Sequence, residues 1–150
     1  MCSAAAGADL LALVVARELG IRQRVVLPVS VEVFKEESVT DRGPDWARLF
    51  DPIISEVRRK GDLVLMNRKH SGVKTFLECN ELILDEALRL ACEPHTNVVR
   101  DDDVLAVVVW EGGSRGGDDI TNAFARSSAA RGIRVLSVNT LEPNESERFV

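Results

Sequence analysis

Short aliphatic runs alternate along this chain with longer stretches of helical periodicity, and this alternation restricts the possible folds most strongly. The runs that predict strands are Arg24–Leu27, Asp62–Met66, Val104–Trp110 and Ile133–Val138. The stretches that predict helices are Ala5–Leu19, Pro44–Lys60, Thr75–Cys92 and Asp118–Ala130. Strands that are apolar almost throughout and joined by helices are typical of a parallel sheet buried on both faces. The pattern therefore predicts a Rossmann-like, doubly wound α/β fold with a mostly parallel sheet and helices on both faces.

The order of the elements is unusual at the amino terminus. Doubly wound domains that bind phosphate normally begin with a strand that leads into the first glycine turn. Here that turn already begins at Ser3, so we expect a domain over residues 1–138 that lacks its first strand. The aliphatic residues of Ala5–Leu19 lie on most faces of the helix and predict that it is largely buried. Residues 139–150 are polar and predict a tail, and 30–43 predict a connection with a short helical turn.

Composition excludes several classes of function. The 19 Lys and Arg residues against 24 Asp and Glu residues give a net charge of −5, which disfavours binding to duplex nucleic acid. No apolar run is longer than Leu10–Ala16, which is far shorter than the ~20 residues that span a bilayer. Three cysteines and two histidines match no metal-site or disulfide spacing. We therefore expect a cytoplasmic protein that requires neither membrane, metal nor cofactor.

The first candidate site is Ser3–Asp9, where small residues lead into an apolar helix. Small side chains let a ligand approach the backbone, and a helix amino terminus offers free N–H groups to a phosphate. Asp9 could bind a ribose hydroxyl or cap the helix. The alternative is an ordinary helix start that is rich in alanine because alanine favours helix.

The second candidate is the glycine-rich loop that follows the strongest predicted strand. Its glycines are Gly112, Gly113, Gly116 and Gly117. A loop of this kind between a strand and a helix can approach a phosphate, a ribose or a base through its backbone. Asp118 and Asp119 suit the helix cap but would repel a phosphate placed on them. A plain flexible loop remains the alternative.

The third candidate is Asn67–Lys74, a basic loop at the carboxyl end of a predicted strand, where open α/β sheets bind ligands. Phe76 and Asn80 are four residues apart on the next helix and share a face. The alternative is a solvated group of charges above a core phenylalanine.

Taken together, several segments resemble the SLOG superfamily, the Rossmann-like group that includes the DprA and LOG proteins. The segments that carry the resemblance are Ser3–Asp9, Val25–Val39, Trp46–Phe50, Phe76–Ala91 and Val107–Ile120. They occur in one order and cover the chain from about Ser3 to Val138. The closest similarity is to SLOG modules that stand beside signalling effector domains.

The resemblance implies binding of a nucleotide-derived ligand of the ADP-ribose, NAD-like or cyclic-nucleotide class. The residues expected to bind it are Ser3, Gly7, Asp9, Asn80, Gly112, Gly113, Gly116, Gly117 and Asp118. Enzymatic LOG proteins carry a Pro-Gly-Gly-x-Gly-Thr run followed by a glutamate. Here Glu111 precedes the glycines and Asp118 occupies the threonine position, while Phe76 stands where relatives often have tyrosine.

These departures favour a non-catalytic sensor that acts on an effector protein or a fused domain. The first alternative is an N-glycosidic hydrolase of nucleoside monophosphates, for which no single carboxylate stands out among Asp9, Asp118 and Asp119. The second alternative is an interaction module without a working pocket, which the missing strand favours.

Overall fold

A computed structural model describes residues 1–92, 104–111 and 119–141. The helices in these residues are α1 (Ala8–Glu18), α2 (Val31–Ser38), α3 (Asp45–Arg59), α4 (Val73–Ala91) and α5 (Ile120–Ala130). The strands are β1 (Val25–Leu27), β2 (Leu63–Leu65), β3 (Leu105–Trp110) and β4 (Arg134–Asn139). A 3₁₀ turn covers Thr40–Arg42. The chain forms two compact units, Met1–Ile83 and Leu84–Val150. No helix in the described residues is long and apolar enough to cross a membrane.

The first unit is built on the parallel pair β1–β2, with Val26 opposite Val64. All three residues of β1 are buried, as their unbroken aliphatic sequence predicts. On the other edge of β1, Cys2 forms an isolated parallel bridge with Val25, and the Val26 amide donates to the Cys2 carbonyl at 3.1 Å. One residue of strand therefore precedes the first turn, where the sequence predicted none.

Amphipathic helices complete the core of the first unit. Four apolar residues of α3 recur at helical spacing and are buried: Phe50, Ile53, Ile54 and Val57. The Phe34 ring from α2 stacks on Phe50 with centroids 6.2 Å apart, and Phe76 from α4 lies 6.5 Å from Phe34. Leu10 and Leu13 of α1 are buried in the same core, whereas Leu11 and Val15 are about half exposed. The prediction of a largely buried first helix is therefore wrong for one face.

The second unit is built on the parallel pair β3–β4, which is in register over six residues. Ala106 and Val108 point to one side of β3 and are buried. Ala106 packs with Leu84 and Ile133 in a small core against which Phe124 of α5 also lies. The Trp110 indole N–H donates to the Ser137 hydroxyl at 2.6 Å.

The structure confirms a mixed α/β protein with parallel strand pairing. In the described residues β1 pairs with β2 and β3 pairs with β4, so a single doubly wound sheet is not confirmed. Asn139, expected in the tail, belongs to β4, and residues 142–150 lie outside the described residues.

Candidate functional site

The loop Ser3–Gly7 turns the chain from the Cys2 bridge into α1. Ala4 has φ 63° and Gly7 has φ 106°, so two left-handed residues make the reversal. The Ala6 amide donates to the Ser38 carbonyl at 2.9 Å, which ties the loop to the end of α2. Ala4 is fully buried, and a larger side chain there would displace the core. The small residues of this segment are therefore needed for the turn, in addition to any role in binding a ligand.

Asp9 lies in the first turn of α1, and its carboxylate faces back to the loop. Its Oδ2 accepts a hydrogen bond from the Ser3 hydroxyl at 2.8 Å and another from the Ala5 amide at 3.3 Å. Ser3 and Asp9, both predicted as site residues within the segment Ser3–Asp9, are therefore direct partners. The hydrogen bonds satisfy part of the negative charge of Asp9, which would otherwise oppose an anionic ligand.

The amino terminus of α1 has open hydrogen-bond donors. Gly7 is the N-cap residue and provides no side chain to cap the helix. The amides of Ala8 and Asp9 have no hydrogen-bond partner within the described part of the chain. Ala8 is exposed and Gly7 is partly exposed, so solvent or a ligand reaches these groups. Open amides with the positive end of a helix dipole favour a bound anion.

Helix α4 packs against the same core as the loop. Phe76 packs against the core that contains Ala4, and the Cys79 thiol donates to the Val26 carbonyl at 3.5 Å. Burial and the nearby Asp9 carboxylate raise the pKa of Cys79 to about 12. Burial, together with the Asp9 carboxylate, also raises the pKa of Cys2 to about 12. Both thiols are protonated at neutral pH and are poor nucleophiles.

Asn80 follows Cys79 in α4 and is half-buried. The Cys79 thiol donates to the Val26 carbonyl and the Val26 amide donates to the Cys2 carbonyl, so this part of α4 lies near the start of the first loop. The resemblance to the SLOG superfamily had implied one site for both segments.

The basic segment Asn67–Lys74 lies at the same edge of the sheet as Ser3–Gly7, because Cys2, β1 and β2 are parallel. The Arg68 amide donates to the Pro28 carbonyl at 3.0 Å, and its guanidinium pairs with Glu78 at 2.9 Å. Lys69 and Lys74 are exposed and have no ion-pair partner among the residues the structure describes.

Most of the second predicted loop lies outside the described residues. Gly112, Gly113, Gly116, Gly117 and Asp118 all lie outside the described residues. Asp119 is described and is the N-cap of α5, with its carboxylate accepting from the Asn122 amide at 2.9 Å. This confirms its predicted capping role. No group of His, Cys, Asp or Glu side chains in the described residues is arranged to hold a metal ion.

The sequence analysis did not identify the buried carboxylate of Asp62. The Asp62 side chain is only 1% exposed, and both of its oxygens accept from the Arg22 guanidinium at 2.9 Å. Arg24 approaches to 3.6 Å. The hydrogen bonds from Arg22 hold the pKa of Asp62 below its usual range, although burial opposes them. The signal in the sequence was an acidic residue at the start of an apolar strand, which requires a partner.

Comparison with known proteins adds nothing to these observations. No protein family matches the chain, and neither a curated protein nor a solved structure proved similar to it. The resemblance to the SLOG superfamily therefore stays a prediction.

Proposed function

We propose that the protein binds a nucleotide-derived ligand of the ADP-ribose, NAD-like or cyclic-nucleotide class without chemical turnover. The observation that carries the proposal is the amino terminus of α1, where open amides follow the loop Ser3–Gly7. A phosphate oxygen could accept from these amides, as anions do at other helix amino termini. The proposal includes a Rossmann-like doubly wound arrangement, a cytoplasmic location, and an effector protein or fused domain as the partner.

The charges at this edge of the sheet support an anionic ligand. The chain as a whole has a net charge of −5, yet Lys69 and Lys74 are exposed in the segment that follows β2 at this edge of the sheet. Ser3 and Ala5 donate to Asp9, so its carboxylate opposes a phosphate less strongly.

The proposal is tested by the substitution Gly7→Ala. A Cβ at Gly7 meets no atom within 4 Å, but the residue has φ 106°, so the new side chain strains the turn. We expect Gly7→Ala to abolish stabilisation by ligand, because the strain moves the open amides.

Gly43→Ala is the matched control, because Gly43 has φ 126° and equally open space in another turn. Binding is measured by calorimetry and thermal shift with ADP-ribose, NAD, cyclic nucleotides and nucleoside monophosphates. A ligand at 100 times its Kd stabilises the parent by about 2.7 kcal/mol. The proposal fails if no compound binds, or if both glycine variants bind equally well.

A further inference from the structure

A cleft in the first unit lies where α1 and α3 end and β1 and β2 begin. Its volume is about 360 Å³, within the range of small-molecule sites. The charged side chains that line it are Arg17, Arg22, Glu56, Lys60 and Asp62. The loop Ser3–Gly7 lies at the other end of α1, whose 11 residues span about 16 Å. The cleft is therefore separate from the nucleotide site proposed above.

Arg22 is held in one orientation by a buried carboxylate. Its Nε and Nη2 atoms each donate to an Asp62 oxygen at 2.9 Å. The Asp62 side chain is 1% exposed, whereas the Arg22 side chain is 76% exposed. Burial of a carboxylate is unfavourable, and a partner that is screened by solvent offsets only part of this penalty. The pair does fix the guanidinium, which then loses little conformational freedom when it binds a ligand.

The outer end of this guanidinium is open to a ligand. Nη1 of Arg22 makes no hydrogen bond within the described part of the chain. Arg17 is exposed and has no ion-pair partner there either. Lys60 pairs with Glu56 at 2.5 Å and Arg22 pairs with Asp62, which leaves Arg17 as the excess positive charge of the cleft. Helix dipoles favour Arg17 and Lys60 at the carboxyl ends of their helices, but Arg22 lies in the connection after α1.

Gln23 contributes a buried hydrogen-bond acceptor. The residue is 6% exposed and lines the same cleft. Its side-chain nitrogen donates to the Leu13 carbonyl. Its side-chain oxygen accepts no hydrogen bond from the residues that the structure describes. Because buried polar atoms are normally satisfied, this oxygen favours a ligand that carries an N–H or O–H group.

We propose that the cleft binds a small carboxylic acid with a hydrogen-bond donor beside its carboxylate, the chemistry shared by free amino acids and hydroxy acids. The carboxylate accepts from the outer N–H groups of Arg22 and from Arg17, in the geometry that a planar guanidinium offers. The neighbouring donor reaches the Gln23 oxygen. A single negative charge is favoured over a phosphate dianion, because Glu56 and the carboxyl ends of two helices face the same cleft.

The first test is calorimetry and ligand-observed NMR on the full chain at pH 8 with four compounds: L-alanine, L-lactate, acetate and inorganic phosphate. We expect L-alanine or L-lactate to bind more tightly than acetate, which lacks the donor, and more tightly than phosphate, which is a dianion at this pH. The proposal is overturned if neither L-alanine nor L-lactate binds, or if acetate or phosphate binds as tightly as the better of the two.

The second test locates the bound carboxylate. Arg17→Gln and Arg22→Gln should each raise the Kd of that acid by roughly tenfold, the effect of losing one charged hydrogen bond. Arg17 makes no hydrogen bond to the described residues, so its replacement should preserve the fold even if Arg22→Gln destabilises it. Arg58→Gln is the matched control, because Arg58 is an exposed arginine of α3 that does not line the cleft. Equal weakening by Arg58→Gln and Arg17→Gln would refute the site.

The third test concerns the fixed orientation of Arg22. Arg22→Lys keeps the positive charge but removes the planar fork, so it should raise the Kd about as much as Arg22→Gln. An unchanged Kd in Arg22→Lys would show that only the charge matters and would overturn the argument from orientation. Gly7→Ala should leave the Kd of the acid unchanged, because Gly7 lies at the other end of α1. Loss of nucleotide binding and loss of acid binding are thus observed separately.

Discussion

Replacing the buried carboxylate of Asp62 gives the sharpest test of the energetics of the first unit. In Asp62→Asn the shape is kept, but the charge that accepts two hydrogen bonds from Arg22 is lost. Hydrogen bonds to charged groups contribute about 1.5–3 kcal/mol each. Arg22 is 76% exposed, which weakens its contribution by solvent screening, and the asparagine oxygen still accepts one bond. We therefore expect Asp62→Asn to lower the free energy of unfolding by about 2 kcal/mol.

The assay is urea unfolding followed by circular dichroism and tryptophan fluorescence. A loss of this size lowers the Tm by about 6 °C in a protein of this length. Asp51→Asn is the matched control, because Asp51 pairs with Lys35 at 2.7 Å but is 56% exposed. Exposed pairs contribute at most about 1 kcal/mol, so the control should stay near the parent.

The effect must also depend on pH. The pKa of Asp62 is lowered in the folded state, first by the hydrogen bonds from Arg22. The ionised carboxylate therefore stabilises the fold above its unfolded pKa of about 3.9, and this stability disappears as pH falls through the lower folded pKa. The difference between parent and Asp62→Asn should be full at pH 7 and shrink below pH 4. Equal stability of the two asparagine variants at pH 7, or a difference between parent and Asp62→Asn that does not shrink below pH 4, would refute the reasoning.

Three further predictions follow from the thiols, the aromatic core and the first loop. Iodoacetamide at pH 8 should label the exposed Cys92. Cys2 and Cys79 should stay largely unlabelled until the chain is denatured, because the pKa of each of these two thiols is about 12. Mass spectrometry distinguishes the three cysteines. Phe34→Ala should destabilise the protein by about 3–5 kcal/mol in urea unfolding because it empties a buried site, whereas Val33→Ala, on an exposed neighbour, should change little. Chromatography should detect no free base released from nucleoside monophosphates above buffer background; steady release would instead favour the hydrolase.

Local pattern was sufficient to predict most of the elements. The helices α3 and α4 and the strand β3 occur where the sequence places them, within a few residues. Their signals are local, since apolar spacing defines the buried side of a helix and a β-branched run defines a strand. The cap at Asp119 is local in the same sense, because its side chain bonds an amide three residues away.

Partners distant along the chain could not be predicted in this way. Asp62 meets Arg22 across forty residues, and Cys79 donates to Val26 across fifty-three. The Val26 carbonyl would be unsatisfied without that thiol or a neighbouring strand, yet nothing near Val26 in sequence reveals which one supplies the donor. The hydrogen bond between Ser3 and Asp9 spans only six residues, yet it was not predicted either, although both residues had been chosen as candidates.

The sequence by itself determined the α/β class, the order of the elements and the small residues before α1, because these depend on spacing along the chain. The tertiary structure alone decided how the strands pair and which apolar faces stay open. The apolar run Val104–Trp110 predicts a strand that is buried on both faces. In the structure Ala106 and Val108 are buried, whereas Val107 is exposed. The hydrophobicity of a residue indicates that it favours burial. The surface that would bury it lies elsewhere in the chain or in another molecule.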